Sequence, residues 1–180
     1  MNFSRTKLEG IYIIDTDIFS DDRGSFIKTY HESFFAEVGI KLDLKESFYS
    51  ISRKNVIRGM HFQVPPHDYT KVVYVTSGEV VDVILDVRAN SPTYGEYFSV
   101  KLSSENAKQV YMPQGFAHGF AVLSDSATVI YLQTAAYASE HDTGVRWDSF
   151  GLDWGIDNPI ISERDRMLPL LNELDSPFYI

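Results

Sequence analysis

The stretch RGMHFQVPPHDYTK, Arg58 to Lys71, gathers an arginine, two histidines and a lysine around a Pro65-Pro66 corner. Three chemistries could use such a set: metal ligation, a charged surface loop that holds an anion, or proton transfer at the edge of a pocket. A divalent ion needs three or more protein ligands in tight geometry. Of the five histidines, His31, His61, His67, His118 and His141, the best placed are His61 and His118. Imidazole titrates near ~6.5, so His61 keeps a lone pair at neutral pH and could serve as a base. From spacing alone it is equally a structural histidine on a strand.

The run PQGFAHGF, Pro113 to Phe120, resembles the second metal motif of the cupin family of small β-barrels. The first cupin motif asks for His-x-His, and here His61 is followed by Phe62 and Gln63, so no metal site is expected. The chain has no cysteine, which removes disulfides, thiolate nucleophiles and Cys-ligated zinc. Its net charge of −9 comes with no Lys/Arg-rich run, so the phosphate-tracking surface of a nucleic-acid binder is missing. Any anionic ligand has to be held locally by a few cations. The N-terminal MNFSRTKLEG lacks the apolar core of a secretory signal, and no window approaches the ~18 apolar residues of a spanning helix. A soluble cytoplasmic protein without a membrane partner is expected.

The elements that must carry these residues are mostly strands. At 180 residues and 44% apolar content the chain suits one domain, 1–180. KVVYVTSGEVVDVILDVR reads as two β-branched runs joined in a hairpin at Ser77-Gly78. Facing positions would then pair Lys71 with Ile84 and Val73 with Asp82. One face carries Lys71, Asp82, Asp86 and Arg88 beside Val73, Val75 and Ile84; the other carries Val72, Tyr74, Val81, Val83, Leu85 and Val87 and must be core. The charged face is either solvated or a polar pocket lining in which Lys71 and Asp82 are close enough to pair. YFSVKL, KQVYMP, GFAVLS and ATVIYLQT follow at strand-like spacing, separated by NSPTYG, SSEN and PQG, the signature of an all-β sandwich or barrel. HESFFAEVG reads as a helix ending at Gly39, with a short helical turn near Glu163 to Met167. From Trp147 onward the aromatic, Pro-containing tail reads as an ordered wrap.

Taken together, DDRGSF (21–26), RGMHFQVPP (58–66), DVILDVRANSPTYG (82–95), LSSENAKQVYMPQGFAHGF (102–120), IYLQTAAY (130–137), GVRWDSFGLDW (144–154) and IISERD (160–165) resemble the dTDP-4-dehydrorhamnose 3,5-epimerase family over nearly the whole chain. The resemblance implies an all-β, cupin-type jelly-roll barrel. It implies a homodimer in which an N-terminal strand joins the partner's sheet, and action without metal or redox cofactor. The implied substrate is a nucleotide-linked 4-keto-6-deoxyhexose, whose keto group acidifies the protons on C3 and C5. The implied product feeds rhamnose or a rarer deoxysugar toward surface polysaccharide.

That chemistry needs a base on one face, an acid on the other and a cation near the enolate oxygen. By resemblance His61 is the base, Asp165 the carboxylate that orients it, Tyr131 the opposed proton donor and Lys71 the cation. Arg23 and Arg58 match diphosphate contacts, and His118 a diphosphate or sugar contact. Phe26 and Tyr137 match aromatic positions of the nucleotide and sugar pocket, and Gln63, Asp142 and Arg164 further polar contacts. The chain departs from the family where Lys28 replaces a usual glutamate and where Glu46 and Phe48 replace a Gln-x-Asn pair, positions that contact the nucleotide. The base, thymidine or cytidine among others, stays open at this stage. So do inversion at C3, C5 or both, a 3,4-ketoisomerase reading, and a catalytically silent sugar-binding barrel.

Overall fold

Side chains alternate across a strand, so a run that is apolar at every position is stable only where both faces of its sheet are covered. The computed structural model describes residues 1–179, and in it both faces are covered. In chain order the elements are β1 (Asn2–Arg5), β2 (Tyr12–Asp15), β3 (Ile18–Asp21), β4 (Gly24–Ile27), α1 (Glu32–Glu37), β5 (Glu46–Arg53), β6 (Ile57–Gln63) and β7 (Lys71–Ser77). Then come β8 (Glu79–Asp86), β9 (Tyr97–Ser103), β10 (Lys108–Met112), β11 (Phe116–Val122), β12 (Ser126–Gln133), β13 (Asp142–Gly144) and α2 (Glu163–Arg166). One antiparallel sheet has the order β1-β2-β10-β7-β12-β5 and the other β13-β6-β11-β8-β9, while β3 and β4 form a separate two-stranded hairpin. This is the jelly-roll architecture the sequence resemblance implies.

Three apolar clusters hold the layers. Val73, Val75, Ile84, Val110, Phe120 and Val129 meet inside the barrel. Outside the first sheet, Val72, Ile14 and Leu132 pack under Phe35 of α1. This helix stops where expected, with Gly39 at φ +79 and the Ile40 N–H returning to the Phe35 carbonyl at 2.9 Å. Outside the second sheet, Val83, Leu85 and Val87 are covered by Trp154, Ile161 and Phe178 of the C-terminal wrap. Each such buried side chain contributes roughly 1.5–3 kcal/mol. No helix of the described residues is long and apolar enough to cross a membrane.

The expected hairpin between 71–77 and 79–86 does not form. Both edges of β7 are taken, by β10 and β12, and both edges of β8 by β11 and β9, so the chain crosses from one sheet to the other at Gly78. Gly78 has φ +76, and a Cβ there would lie 2.0 Å from the Ser126 carbonyl oxygen. A tight sheet-to-sheet corner thus needs the same residue that a hairpin turn would. Lys71 consequently opposes Met112 and Gln133 rather than Ile84, and Asp82 opposes Phe120 and Val100 rather than Val73. The sorting of faces survives: the side bearing Lys71 and Asp82 is the barrel interior, not a solvated surface.

The N-terminal strand β1 pairs with β2 of its own chain, Asn2 opposite Asp15, and lies at the edge of its sheet with its other side unpaired among the described residues. The segment that stands apart is β3–β4, exposed at every residue from Ile18 to Phe26 that lies in its two strands.

Candidate active site

The interior opens into a cavity of about 370 Å³ lined by both sheets. From the second sheet, β6 brings Arg58, His61 and Gln63, and β11 brings His118. His61 and His118 are register partners, and the strands that carry them touch through glycines. A Cβ on Gly59, whose φ is +140, would lie 2.5 Å from Gly119 Cα. RG-x-H and AH-G therefore draw two strands together where both histidines must face one space. From the first sheet come Glu46, Phe48 and Ser50 on β5, Lys71 on β7 and Tyr131 on β12.

Each histidine has its own carboxylate. His61 Nε2 donates to Asp165 Oδ1 at 2.8 Å, which leaves the lone pair on Nδ1. Asp165 is positioned by α2, whose Ser162 cap accepts the Asp165 N–H at 3.1 Å, and its Oδ2 accepts the Gly59 N–H at 3.2 Å. Burial opposes its charge, yet His61, Gly59 and Ser162 together hold its carboxyl below the usual range. His118 Nε2 donates to Asp82 Oδ2 at 2.7 Å, and both are buried. There burial outweighs Asp82 and pushes the imidazole down, so His118 is neutral near pH 7. Asp82 is therefore the hydrogen-bond partner of His118, and no ion pair joins Lys71 to a carboxylate among the described residues: of the two readings left open for the charged face, the pocket lining holds, without the Lys71–Asp82 pair it allowed.

Tyr131 is buried with its hydroxyl 3.2 Å from Ser50 Oγ and its ring stacked on Phe48 at 4.6 Å. Burial pushes its phenol well up, so it is protonated and can donate. Lys71, 4% exposed, is pushed down to about 8, burial outweighing the attraction of Asp82 and Asp142. Arg58 donates Nε to Ser52 Oγ at 2.9 Å and meets no carboxylate among the described residues. Arg164 pairs with Asp142 at 2.7 Å at the cavity wall. Tyr137 is largely exposed, and its N–H donates to Glu46 at 2.7 Å.

Eleven of the expected site residues thus line one cavity: Lys71, His61, Tyr131, Glu46, Phe48, Arg58, Gln63, His118, Tyr137, Asp142 and Arg164. Asp165 stands directly behind His61. Gln63 has its polar atoms engaged by protein, its Nε2 donating to the His67 and Ala136 carbonyls and its Oε1 accepting the Ala138 N–H, so it braces two loops. Arg23, Phe26 and Lys28 sit on the exposed β3–β4 hairpin and do not line this cavity; Arg23 is paired with Asp21. Ser50, Tyr69, Phe120 and Gln133 also line it and were not singled out from the sequence. Tyr69 stands two residues before Lys71, just ahead of β7, close enough in sequence for the spacing to have suggested it. Among the described residues, no three histidine or carboxylate side chains converge as metal ligands.

The family model described as dTDP-4-dehydrorhamnose 3,5-epimerase matches residues 5–173. A dTDP-4-dehydrorhamnose 3,5-epimerase from Methanothermobacter thermautotrophicus is 42% identical over 183 residues, covering 99% of this chain and 97% of that protein. Among solved structures, the dTDP-6-deoxy-D-glucose-3,5-epimerase of Legionella pneumophila in complex with dTDP-4-keto-L-rhamnose is similar with a TM-score of 0.95 and 35% identity, covering 99% and 98% of the two chains. A 3'-monoepimerase from Streptomyces bikiniensis, bound to dTDP-quinovose, gives 0.91 and 28%, covering 97% and 91%.

Proposed function

The chain belongs to the dTDP-4-dehydrorhamnose 3,5-epimerase family, an isomerase family, and we propose that it inverts C3, C5 or both of a dTDP-linked 4-keto-6-deoxyhexose. The observation that carries this reading is the opposition of His61, backed by Asp165, on one sheet to Tyr131 on the other, with the Lys71 cation in the same cavity. His61 Nδ1 takes the proton from the carbon next to the ketone. The C–H electron pair becomes the C=C bond of an enolate, and the carbonyl electrons move onto oxygen beside Lys71. Asp165 stabilises the imidazolium. Tyr131 returns a proton to the other face of the carbon, the enolate reverts to the ketone, and Arg58 eases the phenolate left behind. Arg58 and Arg164 offer forked donors to a diphosphate, in a protein that is otherwise acidic.

The working form in this reading is a homodimer, with Arg23, Phe26 and Lys28 of one protomer completing the cavity of its partner. Its support is the apolar surface left on the edge strand β5, where Tyr49 and Ile51 are each 64% exposed, and on the hairpin, where Phe26 is 62% exposed. Sedimentation of the Ile51→Asp variant tests this: dissociation is expected, and a wild-type monomer would rule the dimer out. The reaction is tested by incubating the protein in deuterated water with dTDP-4-keto-6-deoxyglucose and locating deuterium by NMR. Exchange at C3, C5 or both is expected, and its absence from both carbons overturns the reading.

A further inference from the structure

Lys71 holds a charge inside a barrel without a directional partner. The carboxylates whose fields act on it, Asp82 and Asp142, bond His118 and Arg164 through their Oδ2 atoms, and neither forms an ion pair with it. What approaches the ammonium instead is aromatic. Its Nζ lies 4.8 Å from the centre of the Tyr69 ring and 5.7 Å from that of Tyr131, both within the ~6 Å reach of a cation–π contact. A ring face attracts a cation through its quadrupole without accepting its N–H bonds, whereas a carboxylate would occupy them. We propose that Tyr69 is a positioning residue: with Tyr131 it holds the Lys71 ammonium between ring faces, so that its N–H groups stay free for the oxygen that becomes the enolate. The role of that oxygen rests on the epimerase reading; the cage itself does not.

The backbone is built to keep Tyr69 there. Thr70, between Tyr69 and Lys71, donates its N–H to Thr134 Oγ1 at 2.9 Å and accepts the Thr134 N–H at 3.1 Å, tying the segment to the end of β12, the strand of Tyr131. On the other side Gln63 grips the His67 carbonyl at 2.7 Å. Both rings are thus carried on one frame. The groups that face Lys71 are Asp82 from β8 and Asp142 from β13, which favour its charge, and the neutral His118, Tyr131 and Gln133 from β11 and β12. Burial works against the ammonium more strongly than the carboxylates help it, so losing a ring face tips it further toward the neutral amine.

The test follows Lys71 itself, by NMR of protein carrying lysine labelled with carbon-13 at Cε, the Lys71 resonance being identified by its loss in Lys71→Arg. Tyr69→Leu keeps an apolar wall but no π face, and should lower the Lys71 midpoint by about 0.5–1.5 pH units. Tyr69→Phe keeps the face and should leave that midpoint in place. The alkaline limb of the kcat profile should move with it, a one-unit shift giving roughly an eightfold loss at pH 8.5. A folded Tyr69→Leu protein with an unmoved Lys71 midpoint overturns the proposal, as does Tyr69→Phe moving as far as Tyr69→Leu. Failure of the wild type to epimerise would strike the functional reading alone, because the titration needs no substrate.

Discussion

Replacing Lys71 by methionine should make the protein more stable and far less active. Burial, against the pull of Asp82 and Asp142, moves the ammonium from its ordinary 10.5 down to about 8. At ~1.4 kcal/mol per unit, keeping that charge inside costs roughly 3 kcal/mol relative to the unfolded chain. The sign follows from proton counts. Below pH 8 the folded and unfolded chains both hold the proton, and the whole penalty is present. Between 8 and 10.5 only the unfolded chain holds it, so wild-type stability rises with pH until the penalty is gone. Methionine has a similar reach and no charge, and Asp82 keeps His118 as its partner in the variant. Urea unfolding at one protein concentration should therefore show Lys71→Met more stable by about 3 kcal/mol at pH 7, with most of the gain lost at pH 10. The rate should fall by roughly 100- to 1,000-fold, as when a donor to a developing oxyanion is removed. A variant no more stable than wild type at pH 7, or one whose advantage persists at pH 10, would refute the reasoning.

Asp165→Asn leaves His61 without the carboxylate that fixes its tautomer, and exchange of substrate protons with solvent should drop by about 100- to 10,000-fold; an unchanged exchange rate would remove the dyad from the mechanism. Tyr131→Phe should retain solvent exchange at the activated carbon while losing most inverted product, measured in one NMR time course. Arg58→Lys gives up the forked donor and should raise KM about tenfold with little change in kcat, as steady-state kinetics would show. Gly59→Ala drives a methyl group to within 2.5 Å of Gly119 Cα at φ +140 and should cost about 3 kcal/mol or more in urea unfolding.

Much of this molecule is written in local patterns. The alternation in KVVYV and VVDVILDV sorts Lys71 and Asp82 to one face, and the barrel interior is that face. Phe35 and Gly39 mark the helix, and the aromatic tail does wrap a sheet. What local pattern cannot encode is which strand lies beside which. Gly78 satisfies a hairpin turn and a sheet-to-sheet corner equally, because both need a positive φ and room for no side chain. The same ambiguity reaches Lys71: a hairpin would set Asp82 diagonal to it, whereas in the barrel Asp82 Oδ2 bonds His118. Gln63, which the resemblance offers as a polar contact, does line the cavity, and its amide also bonds backbone groups at 67, 136 and 138, as far as 75 residues away in sequence, which no local pattern shows. Arg23, Phe26 and Lys28 mark the other limit. They belong to an exposed hairpin that does not line this chain's cavity, and only the proposed homodimer would bring such residues to a site.

The interior shows why a barrel of this kind can be both core and active site. Buried polar groups are tolerated when each finds a partner, and most here do: Asp165 with Gly59 and His61, Asp82 with His118, Gln63 with the backbone of residues 67, 136 and 138. Two of the departures lie where the chemistry is proposed. Lys71 is buried without an ion pair, and one of the two buried side-chain oxygens or nitrogens lacking any partner among the described residues is Asp82 Oδ1. Asp82 is also the strongest single influence favouring the charge on Lys71. A sequence selected for stability alone would fill these positions with apolar side chains of the same size, as the neighbouring Val73 and Ile84 already do. Their retention as a lysine and an aspartate, at a cost of roughly 3 kcal/mol for the lysine alone, is what a site prepared for a charged intermediate requires.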